Sequence, residues 1–378
     1  MTATTRSLGQ AEGSAAKQRA PVSAPPTDFA TLKRAIPKHC FERSLLRSSY
    51  HLARNLATVG LLFLASAFID HPALPKALSA ALWPVYWAVQ GAFLTGIWVV
   101  AHECGHGAFS DSTGINDAVG LVLHSLLLVP YFSWKHSHRR HHKNTGHLEQ
   151  DEVFVPTVAA HDAPDAPLWW TMPPTRVAYT LWMLLVGWPM YLLINASGRP
   201  YTRWASHFDP SSPIFVNRKE GMEVLVSDAA LIGVGIGLTM LGRTFGGLWL
   251  VQTYIAPYLV VNMFLVFITY MQHTHPKLPH YGASEWEWMK GALATVDRSY
   301  GFLDPVLHHI GDTHVAHHLF SYMPHYHAQE ATQVIRELMG EHYVRDERNV
   351  LVALWQDMPL CFRVRPDKAG QQVMWFVR

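Results

Sequence analysis

The chain has 378 residues, 49% of them hydrophobic and only 15% charged, with 14 tryptophans and a net charge of +2 when histidine is neutral. That balance favours a membrane protein and lacks the basic field that nucleic-acid binding requires. Three widely spaced cysteines, Cys40, Cys104 and Cys361, argue against a disulfide framework and for a reducing compartment.

Residues 1–30 are rich in Ala, Ser, Thr, Pro and Gln without an apolar run, so a disordered tail is expected there, not a secretory signal. Residues 31–378 are expected to form one membrane domain. Apolar runs at 52–69 and 82–101 approach the ~20 residues a bilayer requires and read as a helical hairpin. The run at 118–132 is short and contains Pro130, which suits an embedded or re-entrant segment. Three more runs follow at 177–195, 224–241 and 248–271, the last two joined by a six-residue turn and therefore a second hairpin.

Histidine is the anomaly. Of 24 in the chain, eight lie between His102 and His147 and ten between His273 and His327. If the two windows serve one site, an even number of crossings must separate them. The run at 177–195, interrupted by Gly187-Trp188-Pro189, is then the one expected not to cross. Lys33, Arg34, Lys38, Arg43, Arg47 and Arg54 precede the first span, and Lys135, Arg139, Arg140 and Lys143 accompany the first window. The hairpin turns carry only Lys76 and Arg243, so the positive-inside rule places the tail and both windows in the cytosol. The expected fold is an all-α integral membrane protein. It has four transmembrane helices in two hairpins (about 52–69, 82–101, 224–241 and 248–271), embedded or interfacial helices, and a cytosolic His-rich cap (about 102–220 and 272–378).

Three histidine boxes carry the chemistry. His102-Glu103-Cys104-Gly105-His106 has the H-E-x-x-H spacing of a zinc protease, in which Glu103 would be the general base. The stretches at 136–142 and 314–318 both contain H-x-x-H-H, which on a helix sets His138, His141 and His142, and again His314, His317 and His318, on one face. Eight imidazoles are twice what one tetrahedral zinc accepts, so the boxes imply two metals. Imidazole alone does not choose among Fe, Cu, Zn and Ni; the position at the ends of membrane spans, within reach of a lipid chain, favours a redox metal. An intramembrane zinc protease would leave two boxes idle and needs a distant Leu-Asp-Gly, whereas the chain offers only Phe302-Leu303-Asp304-Pro305. A metal carrier predicts ionisable groups inside the spans, and Asp228 is the only acid well within one.

Together with WPVYW (83–87), AHECGHGAFSDS (101–112), HRRHHKNTGHLEQDEVFVP (138–156), QHTHPKLPHY (272–281), GALATVDRSYG (291–301) and DTHVAHHLFSYMPHYHA (312–328), the boxes resemble the membrane fatty acid desaturases. Within that family the likeness is to the microsomal oleate Δ12 (ω-6) enzymes of fungi and plants, from about Ile36 to about Val364. The resemblance implies a non-haem di-iron centre, dioxygen as co-substrate, and electrons from NADH through cytochrome b5 and its reductase. It also implies a fatty acyl lipid substrate and an endoplasmic reticulum membrane. No H-P-G-G haem motif occurs, so the cytochrome b5 is expected to be a separate protein. By the same resemblance the ligands are His102, His106, His138, His141, His142, His314, His317 and His318, with His273 as a ninth. His136, His275, His308 and His309 are further candidates, and Glu103, Asp151, Glu152 and Asp312 are candidate acceptors for the outer imidazole nitrogens. Trp98, Phe93 and Gly96 are candidate walls of a narrow acyl tunnel. An ω-3 (Δ15) or dual-specificity desaturase, a hydroxylase and an acetylenase on the same scaffold are the neighbouring activities.

Overall fold

The computed structural model describes residues 19–378. Of the tail expected over 1–30, residues 1–18 lie outside the described residues. From Arg19 onward the chain is held against the cap: Arg19 pairs with Asp367 at 2.7 Å, the Ala20 amide donates to the Lys277 carbonyl, and Asp28 caps helix α1 (Phe29–Ala35).

Helices α2 (Leu45–Ser66) and α3 (Lys76–His106) pack side by side as the first hairpin. The α2 helix starts seven residues before the apolar run read from sequence and stops short of its end. Its first three turns carry Arg47, His51, Arg54 and Asn55, which face cap residues, and unlike α3 and the later long helices it is not apolar enough by composition to count as a span. The 31 residues of α3 extend about 46 Å at ~1.5 Å per residue, well beyond the ~30 Å of a hydrocarbon core. Its last turn carries His102 and His106. Gly107, at φ 71°, ends it in the left-handed conformation that glycine adopts without strain.

Helices α4 (Thr113–Leu126) and α5 (Tyr131–Asn144) meet at a bend of 108°, in keeping with the embedded segment expected at 118–132. A side chain at Gly120 would collide with the Tyr131 ring, so the bend closes tightly and turns α5 along the cap. Helix α6 (Pro173–Ile194) is long and apolar enough to cross a membrane. Both its ends nevertheless meet cap residues: Arg176 lies over Trp355 at 3.6 Å and Trp170, just upstream, packs on Phe362, while Tyr191 packs on His207 at the other end. Helices α7 (Arg218–Phe245) and α8 (Gly247–His273) form the second hairpin around Gly246. The α8 helix contains a π-helical turn at Val251–Ile255 and packs along α3, where Gly91 leaves room for Val260.

The cap adds short helices α9 (Trp288–Ala292), α10 (His314–Leu319), α11 (His325–Met339) and α12 (Val350–Asp357). It also contains strands absent from the sequence reading. β1 (Pro279–Tyr281), β4 (Arg363–Pro366) and β5 (Val373–Val377) pair antiparallel in the order β1-β5-β4, and β2 (Val296–Arg298) pairs in parallel with β3 (Val344–Asp346). Runs of three to five residues are too short for alternation to register. The fold is that of an all-α membrane protein whose small sheets only brace the cap. Fully buried Arg298 ties the pieces together: it pairs with Asp357 at 2.7 Å and Asp346 at 3.0 Å and donates to the carbonyls of Met271 and Thr274, at the end of α8 beside His273.

Candidate metal centre

The nine histidines read as ligands from the sequence come together in two adjoining clusters. His102, His106, His138, His142 and His317 form one, with Nε2 of His138 2.9 Å from that of His102 and 3.1 Å from that of His142. His141, His273 and His318 form the other. His314 joins it, its Nε2 3.0 Å from that of His273 and 3.1 Å from that of His318, and the Nε2 of His141 lies 3.3 Å from that of His273. The rings of His142 and His318 stack at 4.1 Å where the clusters touch.

Helix geometry explains the division. In each H-x-x-H-H box the i and i+4 residues share a line along the helix, while the middle one is rotated about 100° from its neighbour. Thus α5 sends His138 and His142 to the first cluster and His141 to the second, and α10 sends His314 and His318 to the second and His317 to the first. The end of α3 completes the first cluster and the end of α8 the second. Stacking fixes the rings from outside: Trp98 lies over His102, and Trp134 over His138 at 4.5 Å.

Protonation follows from burial. Desolvation, reinforced by neighbouring imidazoles, holds His317 and His318 well below the usual histidine range and lowers His314 to about 3. Outer partners orient three of the rings. Nδ1 of His141 meets Asp151 at 2.5 Å, and Nδ1 of His314 meets the Ile310 carbonyl at 3.2 Å. Thr145 donates its hydroxyl proton to the His141 carbonyl, so at 3.1 Å it accepts from Nδ1 of His318. With Nδ1 protonated, the Nε2 atoms of His141, His314 and His318 present lone pairs to one another and to His273. Lone pairs 3.0–3.3 Å apart repel unless a cation lies among them. The donor set therefore fits metal ions, and both clusters consist of imidazole alone.

Of the expected acceptors only Asp151 serves a clustered histidine; its second oxygen accepts from the Gly146 amide, which fixes it in place. Both Glu103 oxygens are taken by His325, through its amide and its Nδ1, each at 2.6 Å. That arrangement removes the protease base. Glu152 accepts from Tyr201 and Asp312 holds His309. The four further candidates also stand apart: His136 on Glu223, His275 near Asp346, His308 on Asn55 and His309 on Asp312.

An apolar cavity of about 260 Å³ ends on both clusters, with His102, His138, His141, His273 and His314 at its floor. Trp98 lines it as expected. Phe93 and Gly96 do not; Gly96 instead gives the close approach to the Val306 carbonyl and Asn55. Much of the wall is Tyr179, Met183, Gly187 and Tyr191 of α6, which sequence reasoning passed over. Their strict spacing of four residues is a readable stripe on one helical face.

A fatty acid desaturase family profile matches residues 81–348. A Delta(12)-oleate desaturase of Trichosanthes kirilowii is 51% identical over 95% of this chain and 98% of its own. An omega-6 fatty acid desaturase of Glycine max, endoplasmic reticulum isozyme 2, is 50% identical over 95% and 94%. An oleoyl-12-hydroxylase of Ricinus communis is 48% identical over 95% and 92%. Paired imidazole clusters at the end of an apolar cavity and a profile that runs through all three boxes lead to one conclusion: the chain belongs to the fatty acid desaturase family and is an oxidoreductase of that family.

Proposed function

We propose that the protein inserts a cis double bond at Δ12 of an oleoyl chain to give linoleoyl, using dioxygen and two irons held by His102, His106, His138, His142 and His317 and by His141, His273, His314 and His318. The reading rests on those nine imidazoles meeting at the end of the apolar cavity, together with about 50% identity to Δ12 enzymes along nearly the whole chain. Two irons, when bound, supply the oxidising power that no side-chain acid or base has toward an unactivated methylene. The protein supplies position. Trp98, Met183 and Tyr191 confine a chain beside the clusters, and the aromatic walls exclude water. Asp151, Thr145 and the Ile310 carbonyl hold the ring orientations. Depth in the cavity sets which carbons lie over the floor, since one methylene is worth only about 1–3 kcal/mol in binding.

Electrons come from NADH through a separate cytochrome b5 and its reductase. The protein lies in the endoplasmic reticulum membrane with α2, α3, α7 and α8 crossing, α6 embedded along the cap, and the cap in the cytosol. The contacts at both ends of α6 support this arrangement, as does the basic charge around the boxes.

Expression in a yeast that makes no polyunsaturated fat, followed by lipid analysis with double-bond positions, tests the function. Linoleate is the expected product. Hydroxylated oleate would favour the competing reading that the Ricinus relative raises, and unchanged lipids from folded, iron-loaded protein would overturn both.

A further inference from the structure

Under the function proposed above, on which this inference rests, each turnover takes up one dioxygen, two electrons and two protons. It removes two hydrogens from the acyl chain and releases two waters. The electrons come from a one-electron haem protein; the protons must cross the protein to reach a buried centre. A second cavity of about 20 Å³ borders His102 and His317 and is closed on its other side by Glu103, His308, Thr313 and His325. That is room for one water with several polar partners.

Beyond it stand three imidazoles that belong to neither cluster. The His325 ring lies 4.4 Å from His308 and 4.6 Å from His51 between centres. Glu103 accepts from Nδ1 of His325, Nε2 of His325 is buried without a protein partner, and Nδ1 of His51 is likewise buried and unpaired. His308 is held at φ 53°, a conformation that side-chain-bearing residues rarely adopt, with Nε2 2.8 Å from the Asn55 amide nitrogen. His51 is partly exposed and stacks on Tyr326, so the row runs from solvent to the small cavity.

We propose that His51, His308 and His325 relay protons from the cap surface to the small cavity beside His102 and His317, with Glu103 as the positioning residue that fixes the His325 tautomer. His325, held at Nδ1 by Glu103, takes up a proton at Nε2 and gives it up from the same atom, so it is neutral and unturned after each transfer; a ring that passes a proton from one nitrogen to the other is left in its opposite tautomer and turns back before the next. Burial, and then the Arg54 and Arg47 cations that face His51, discourage a proton from resting on the outer ring; Arg47 also meets His327. The two cations equally oppose a third metal dication among the three rings.

The test uses the iron-loaded enzyme with excess reduced cytochrome b5, in light and heavy water, for wild type, His308→Asn and His325→Gln. Iron content and KM for the oleoyl lipid should stay at wild-type values, kcat should fall about tenfold or more, and the solvent isotope effect should grow. Added imidazole should restore part of the turnover of His308→Ala. Wild-type kcat and isotope effect in the variants would overturn the relay, as would loss of iron in step with activity. A third, non-iron metal equivalent that disappears in His308→Asn would replace it with a metal site. Absence of linoleate from the wild type would instead overturn the function on which the relay rests.

Discussion

A histidine binds metal only when its ring is turned so that a lone pair faces the ion, and for three of the nine an identifiable neighbour sets that turn. His141 shows this best, since Asp151 holds its Nδ1 and is itself held by the Gly146 amide. His141→Ala should abolish product in the yeast assay, and near-normal turnover would refute its role as a ligand. Asp151→Ala should keep the fold but weaken metal retention by about 10–100-fold, readable as iron lost to a chelator during purification. Asp297 gives a pH prediction. It lies fully buried beneath α10, accepting from the Val315 amide and the Tyr343 hydroxyl, and burial pushes its carboxyl up to about 7. Because the folded value lies above the unfolded one, this group's contribution to stability is complete below the unfolded pKa and is lost as pH rises through 7. The thermal midpoint should therefore drop between about pH 4 and about pH 7 and level off above, and Asp297→Asn should flatten that drop. Eight of the nine clustered histidines were legible because box spacing is local, and the ninth, His273, came only from the family resemblance. The partner of Glu103 was not, since His325 lies 222 positions away.

At the scale of elements, two boxed helices each divide their histidines between the clusters, so the centre exists only while α5 and α10 keep their relative rotation. The Arg298 clamp keeps the end of α8 in step with them. Arg298→Met would leave Asp346 and Asp357 buried without this partner and should destabilise the cap by about 3–5 kcal/mol. Denaturation should reveal that loss, and the second cluster, through His273, should release its metal before the first. Apolar run length marked the long helices, and Pro130 in a short run marked a segment unlike a simple span, where the structure has a 108° bend. It could not separate five ligands from four, because the division depends on how distant helices dock. The α6 stripe of Tyr179, Met183, Gly187 and Tyr191 was present in the spacing and went unread because Gly187-Trp188-Pro189 drew attention to whether the helix crosses, not to what it faces.

Across the whole molecule, one constraint organises everything: elements separated by the α7–α8 hairpin must return to the same side. Three helices between the second box and His273 are long and apolar enough to cross, which would make the count odd; under the proposed arrangement α6, with cap contacts at both its ends, is the one that does not. A single cysteine introduced near Arg243, in a background without Cys40, Cys104 and Cys361, should react with an impermeant thiol reagent only from the lumenal side of sealed vesicles. One placed near Asp162 should react only from the cytosolic side. Composition made the membrane character readable, whereas the cap strands and the anchoring of residues 19–28 depend on long-range pairing that no local pattern announces. The central claim, two irons in nine imidazoles, is tested most directly by anomalous scattering at the iron edge from crystals of the iron-loaded protein. Two peaks per chain are predicted, one among His102, His106, His138, His142 and His317 and the other among His141, His273, His314 and His318; a single peak, or iron bound anywhere else, would contradict it.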